Sequence, residues 1–352
     1  MKTIVSVFLY VIICSIQIYA VSAEEINLNA KAAVIMDAES GKILYEKNGE
    51  ERLPMASTTK IMTALLTLEA SNLDTYFTVD PNAIKVEGTS MGLQEGDQVT
   101  LRTLAAGMLL ASGNDAANSA AIKVGGSLDE FAIMMNKRAA QIGMKDSNFV
   151  TPSGLDAQNH YSTALDMAKL ARAALQNPDF RAICSQKNMK LSYGNPPYDR
   201  WLSNHNKLLK SFPDCIGVKT GFTKKAGRCL VSAAERDGVT LICVTIKAPS
   251  DWEDHRKMLD YGFSQVQPME LSGEITGKIP VVSDQVTPMI QVVPKASVTW
   301  EDAAKIEMKI VSQPFLYAPV QEGDYIGEVR YYLNGELLKS APLTAKETVA
   351  AD

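Results

Sequence analysis

Three short strings in this chain could together carry acyl-transfer chemistry: Ser57-Thr58-Thr59-Lys60, Ser112-Gly113-Asn114 and Lys219-Thr220-Gly221. A serine hydroxyl is a weak nucleophile until a neighbouring base takes its proton. Residues three apart share a helix face, so the spacing of Ser57 and Lys60 sets the lysine amine beneath the hydroxyl. Apolar neighbours such as Ile61 and Leu65 would desolvate that amine and favour its neutral form. A second cation, Lys219, would push the same way.

Ser112-Gly113-Asn114 breaks two helical patterns, and Gly and Asn favour such a turn on their own account. In a site, Ser112 Oγ would relay protons between Lys60 and a leaving amine, and Asn114 would offer its side-chain amide to a substrate backbone. Lys219-Thr220-Gly221 falls on an apparent strand. There Gly221 would let a substrate chain approach the edge closely. Lys219 and Thr220 would receive a carboxylate, and Thr223 could add a hydroxyl. The backbone N–H groups of Ser57 and Phe222 are candidates for an oxyanion hole, with the helix N-terminus adding positive potential. Each string alone is cheap. Their order and local context give them meaning.

The elements that must position these residues read as follows. Residues 31–46 look like two strands around a Glu39-Ser40-Gly41 turn. A loop ending in Pro54 leads into an amphipathic helix in which Ile61, Met62, Leu65, Leu66 and Leu68 recur at helical spacing, with Ser57 in or beside its first turn. Thr100 caps an Ala-rich helix up to Ala111, and a second runs from Asp115 to Gly125-Gly126. Ser127-Leu128-Asp129-Glu130 is a capping-box string opening a helix toward Gly143, and Ser162 caps one that ends near Asn177-Pro178. Strands follow at Ile216–Thr223, Cys229–Ala234 and Val239–Ile246, then a helix over Trp252–Phe263. Strands, helices, then strands is an α+β order, with one sheet assembled from both ends of the domain.

After Gln267 the pattern turns to short alternating strands punctuated by proline, and Asn334-Gly335 is a type I′ hairpin signal. The expected organisation is a signal peptide over 1–23, a catalytic domain over 24–266, a small β-rich domain over 267–345 and a polar tail over 346–352. Lys2, the apolar run Ile4–Tyr19 and the small-residue site Val21-Ser22-Ala23 support export with cleavage. The mature protein is then extracytoplasmic, secreted or associated with the cell envelope.

The 352 residues are 46% hydrophobic and 21% charged with a net charge of -5, which speaks against a nucleic-acid footprint. Cys184, Cys215, Cys229 and Cys243 show no metal-ligand spacing, and His160, His205 and His255 stand far apart, so no metal or other cofactor is expected. Cys229 and Cys243 flank a turn at Arg236-Asp237-Gly238 too tight to pair them, and buried free thiols are the expectation.

Longer stretches carry a resemblance: Met55–Thr63, Ala111–Ala116, Thr151-Pro152-Ser153-Gly154-Leu155-Asp156, Tyr161–Ala164 with Asp166-Met167-Ala168, and Gly217–Thr223. Over residues 24–263, and more weakly beyond, the chain resembles the low-molecular-mass D-alanyl-D-alanine carboxypeptidases, the serine penicillin-binding proteins of peptidase family S11. Gly113 is itself a mark of that family, where class A β-lactamases have Asp. The resemblance implies a β-lactamase/transpeptidase-like catalytic domain, an antiparallel sheet flanked by helices with a helical subdomain carrying Ser112. It implies that Ser57 attacks the penultimate D-Ala carbonyl of a peptidoglycan stem peptide with Lys60 as base, and that water then releases the acyl-enzyme. Penicillin and other β-lactams would acylate Ser57, and the role would lie in cell-wall synthesis and cell shape. Relatives commonly end in an amphipathic membrane helix. The end of this chain, Lys346–Asp352, is too short and polar for one, so no tether of that kind is expected. The alternatives are a β-lactamase, for which no E-x-x-L-N-like string appears between Thr151 and Asn177, a non-catalytic penicillin-binding sensor or scaffold, and transpeptidation in place of hydrolysis.

Overall fold

The computed structural model describes residues 4–5, 26–271, 275, 277–282, 284–299 and 301–351. The expected signal peptide therefore lies outside the described residues apart from Ile4–Val5. The chain divides into two compact units, one of residues 25–236 and 240–263, the other built mainly from residue 264 onward.

The first unit is organised on a five-stranded sheet. Strands β1 (Ala32–Asp37) and β2 (Ile43–Lys47) come from its start, and β5 (Cys215–Thr223), β6 (Gly227–Arg236) and β7 (Val239–Ile246) from its end. The order β2-β1-β7-β6-β5 leaves β5 on an edge. Pairing of β1 with β2 and β7, and of β5 with β6, is antiparallel. All six residues of β1 are buried, as a central strand covered on both faces requires. Helix α7 (Asp251–Gln265) lies on the sheet, held by His255, which bridges Ser232 Oγ on β6 (2.6 Å) and Thr245 Oγ1 on β7 (2.9 Å).

The helices between the two strand groups are α1 (Lys60–Glu69), α2 (Leu101–Leu109), α3 (Asn114–Gly125), α4 (Leu128–Ile142), α5 (Ala164–Gln176) and α6 (Pro178–Cys184). Sequence suggested an amphipathic α1. In fact every residue from Lys60 to Leu68 is buried, so α1 is the spine of the core. Thr100 and Ser127 cap α2 and α4 as expected, accepting from the N–H of Thr103 and Glu130. Thr163, not Ser162, caps α5, because Ser162 Oγ is bonded to Ser147 Oγ at 2.7 Å.

Among the elements not anticipated are a helix and a hairpin. Asn177-Pro178 ends α5 and also starts α6, with Asn177 Oδ1 accepting from Phe180 N–H at 3.0 Å and proline in the first turn. A hairpin of β3 (Asn188–Gly194) and β4 (Pro197–Ser203) follows. Its first strand alternates, with Met189, Leu191 and Tyr193 turned to the core between Asn188, Lys190 and Ser192, a period-2 signal passed over in the sequence.

The second unit is β-rich. Strands Pro288–Ile290, Glu336–Ala345, Tyr325–Leu333 and Ile306–Ser312 lie side by side in that order, with Ile4–Val5 paired to Ile310 and Val311. Asn334 (φ 51°) and Gly335 (φ 83°) form the anticipated hairpin turn. Val329, Tyr331, Leu343 and Ala345 fill its core. No helix among the described residues is long and apolar enough to cross a membrane.

Candidate active site

The chain reaches Ser57 through a strained step. Ala56, buried, takes φ 49°, a left-handed value that costs a residue with a Cβ about 1–2 kcal/mol. A 3-10 turn, Ala56–Thr59, then runs straight into α1. This turn lies on β5: a Cβ on Gly221 would sit 3.0 Å from Thr58 N and 3.1 Å from Ser57 N. The bare Cα of Gly221 thus admits the protein's own backbone, and Gly221 also lines the cleft where a substrate chain was expected. It also brings Ser57 N–H beside the strand one residue from Phe222, the two groups proposed for an oxyanion hole.

Lys60 lies under Ser57, fully buried, with its Nζ 3.0 Å from Ser57 Oγ, 2.6 Å from Asn114 Oδ1 and 2.6 Å from Ser153 O. Asn114 Nδ2 donates to Glu87 O at 2.6 Å, which fixes the amide orientation and leaves Oδ1 as the acceptor. Asn114 thus holds the lysine, and it also lines the cleft where sequence suggested a contact to substrate. Burial drives the Lys60 pKa well below its ordinary value, and the charge of Lys219 adds to the shift while Asp115 opposes it. A neutral amine has two N–H groups and a lone pair. Two of its neighbours can only accept; the third is a hydroxyl that can donate. In that neutral form the lone pair would face Ser57 O–H, the arrangement a general base needs.

Ser112 stands at the break between α2 and α3, at φ 58°. It lines the same cleft as Ser57 and Asn114, a space of about 440 Å³ that also reaches Thr220, Gly221, Phe222 and Thr223. Among the described residues Ser112 Oγ makes no hydrogen bond to Lys60 or Ser57. Lys219 is buried behind the lining, donates to Thr220 O at 2.8 Å, and has its pKa pushed down to about 7 by burial. Thr220 lines the cleft, and Lys219 is not among its lining residues. Thr223 Oγ1 donates to Asp156 Oδ1 at 3.1 Å and accepts from Ala226 N–H, closing the β5–β6 turn.

Several residues of the site left no mark in sequence. His160 Nδ1 accepts from Val150 N–H at 2.9 Å, so Nε2–H is the donor to Thr59 Oγ1 at 2.9 Å. It ties the 150–156 loop, which carries the Ser153 carbonyl, to the Ser57 turn. Burial lowers its pKa to about 4, so it stays neutral. Arg228, on the cleft wall, lies 3.4 Å from the buried Asp251 carboxylate. Such residues arrive from remote elements, and only the fold gathers them. Among the described residues no group of His, Cys, Asp and Glu could hold a metal, and the four cysteines are buried free thiols.

Residues 19–250 match the profile of the Peptidase S11 family, D-alanyl-D-alanine carboxypeptidase. The chain belongs to this family. Residues 265–351 match a second profile, the penicillin-binding protein 5 C-terminal domain. The chain is 33% identical over 342 residues to D-alanyl-D-alanine carboxypeptidase DacF of Bacillus subtilis, covering 92% of this chain and 86% of the relative. Among solved structures it is similar to the D-alanyl-D-alanine carboxypeptidase DacD of Francisella tularensis, at TM-score 0.69 and 27% identity over 96% of this chain and 98% of that one. It is also similar to the Streptomyces K15 DD-transpeptidase, at TM-score 0.65 and 32% identity over 68% of this chain and 99% of that one. The expected fold class, an α+β order read from the residues with an S11-type catalytic domain implied by the resemblance and a β-rich domain after it, is the one observed.

Proposed function

We propose that this protein is an extracytoplasmic serine D-Ala-D-Ala carboxypeptidase that trims peptidoglycan stem peptides and contributes to cell-wall synthesis and cell shape. Ser57 Oγ attacks the carbonyl of the penultimate D-Ala while its proton passes to Lys60 Nζ. The N–H groups of Ser57 and Phe222 hold the developing oxyanion. The proton returns, through Ser112, to the amine of the terminal D-Ala, which leaves. Water then attacks the acyl-enzyme by the same base and frees Ser57. Penicillin presents a strained amide to the same serine and acylates it.

The observation that carries this reading is the Lys60 amine, buried, with two acceptor-only partners at 2.6 Å and the Ser57 hydroxyl at 3.0 Å. The test is release of free D-Ala from a peptide ending in D-Ala-D-Ala, with penicillin adding a covalent mass on Ser57. Stable labelling without D-Ala release would favour a sensor. Rapid penicillin hydrolysis without D-Ala release would favour a β-lactamase. The similarity to a DD-transpeptidase supports a second outcome, transfer of the acyl group to an added D-amino acid, which the same assay reads as an exchanged C-terminus.

A further inference from the structure

Asp115 is buried next to the corner that bears Ser112 and Asn114, and both its oxygens are in use. Oδ1 accepts from the N–H of Met91 and of Ala116, each at 2.9 Å. Oδ2 accepts from Ser90 Oγ at 2.5 Å, Leu93 N–H at 3.0 Å and Gly92 N–H at 3.1 Å. The loop gathered in this way also meets the corner directly. Glu87 O accepts from Asn114 Nδ2, Thr89 O accepts from Asn114 N–H at 2.7 Å, and Thr89 Oγ1 donates to Ser112 O at 2.6 Å. On its other side Arg200 Nη1 donates to Gly92 O at 2.6 Å and Tyr193 OH to Met91 O at 2.7 Å.

Gly113 completes the clamp. A Cβ there would lie 2.7 Å from Asp115 Oδ1 and 3.0 Å from Met91 N, in the way of the bond between them. Ser112 meanwhile occupies a backbone region that residues with a Cβ rarely adopt, and such strain persists only where the surroundings over-determine it. The bonds from the loop supply that determination.

We propose that Asp115 is a positioning residue: it clamps the 87–93 loop to the Ser112–Asn114 corner and so fixes where Asn114 holds the Lys60 amine and where Ser112 faces the acyl group. This rests on the acyl-transfer reading of the site. Asp115 itself is not among the residues that line the cleft. The charged groups acting on Lys60 are Lys219, which disfavours its ammonium form, and Asp115, which favours it. Tyr193 is the titratable group on the far side of the loop.

Asp115→Asn keeps the volume of the side chain but turns an NH₂ toward backbone donors. Penicillin acylation of Ser57 is followed by mass across pH, beside the thermal midpoint and D-Ala release. A folded Asp115→Asn is expected to acylate about 10²-fold more slowly, the loss that a misplacement of about 1 Å brings. The acidic limb of its pH profile moves to lower pH, because the carboxylate that favours protonated Lys60 has gone. Thr89→Val, which cuts the bond to Ser112 O without touching the carboxylate, loses rate with its acidic limb unmoved. A folded Asp115→Asn with wild-type rate and profile overturns the proposal. So does an unfolded Asp115→Asn together with a folded Thr89→Val that acylates at the wild-type rate. Wild-type protein that neither releases D-Ala nor takes penicillin on Ser57 would instead sink the carboxypeptidase reading, a separate failure.

Discussion

Asn114 Oδ1 and Lys60 Nζ are 2.6 Å apart, and the amide cannot turn over because its other end is bonded to Glu87 O. The pair places a neutral dipole, not a charge, against the buried amine. Asn114→Asp would replace that dipole with a carboxylate and raise the Lys60 pKa. Acylation of Ser57 by penicillin should then need a higher pH, with its acidic limb displaced upward from wild type. An unmoved limb would count against Lys60 as the base.

Lys60→Arg tests the same assignment from the other side. A guanidinium stays protonated, so it can donate to Asn114 and Ser153 but cannot take a proton from Ser57. Acylation should fall by about 10²–10⁴-fold, the usual contribution of general-base catalysis. A variant that is folded by circular dichroism and acylates within a few-fold of wild type would remove lysine from the mechanism.

Gly221→Ala should disturb the site without altering any reacting group. The added methyl would press on the backbone of Ser57 and Thr58 at about 3 Å. Overpacking of this kind costs about 1–3 kcal/mol. The thermal midpoint should drop, and kcat for D-Ala release should fall more than KM rises, since the nucleophile itself is moved. Substrate binding lost at constant kcat would instead restore Gly221 to the substrate.

Stability should decline on mild acidification. His255 and His160 are held neutral by burial, with pKa values pushed from 6.5 down to about 3 and about 4. Protons therefore bind the unfolded chain first, so the stabilisation is complete above pH 6.5 and is lost as pH falls toward those values. Each histidine can contribute a slope of at most about 1.4 kcal/mol per pH unit in that window. Urea unfolding at stepped pH should show it, and His255→Gln should flatten the curve below pH 6.5 while lowering its plateau. A wild-type curve flat through the window would rule out neutral buried histidines.

Much of this architecture was legible from local signals. Capping serine and threonine at Ser127 and Thr100, the Asn334-Gly335 turn and the apolar strand runs are set by neighbouring residues, and the structure has them in place. The contents of the site were legible as residue types but not as contacts. Gly221 looked like room for a substrate; it also seats the Ser57 turn. Asn114 looked like a substrate ligand; it also grips Lys60. Both added contacts arise from tertiary approach between segments far apart in the chain, which no spacing encodes. The β3–β4 hairpin is a different case: the alternation of Met189, Leu191 and Tyr193 was legible, and it is this face that packs on the core.

The burial of α1 from Lys60 to Leu68 bears on how this protein would fail. Amides in such a helix exchange with solvent only when the whole unit opens, whereas surface segments fray at little cost. Because the turn carrying Ser57 continues directly into α1, the Ser57 hydroxyl is attached to a deeply buried part of the fold. Heating should therefore abolish penicillin labelling and melt the core in a single step. No intermediate temperature should exist at which the structure persists while its serine has gone quiet.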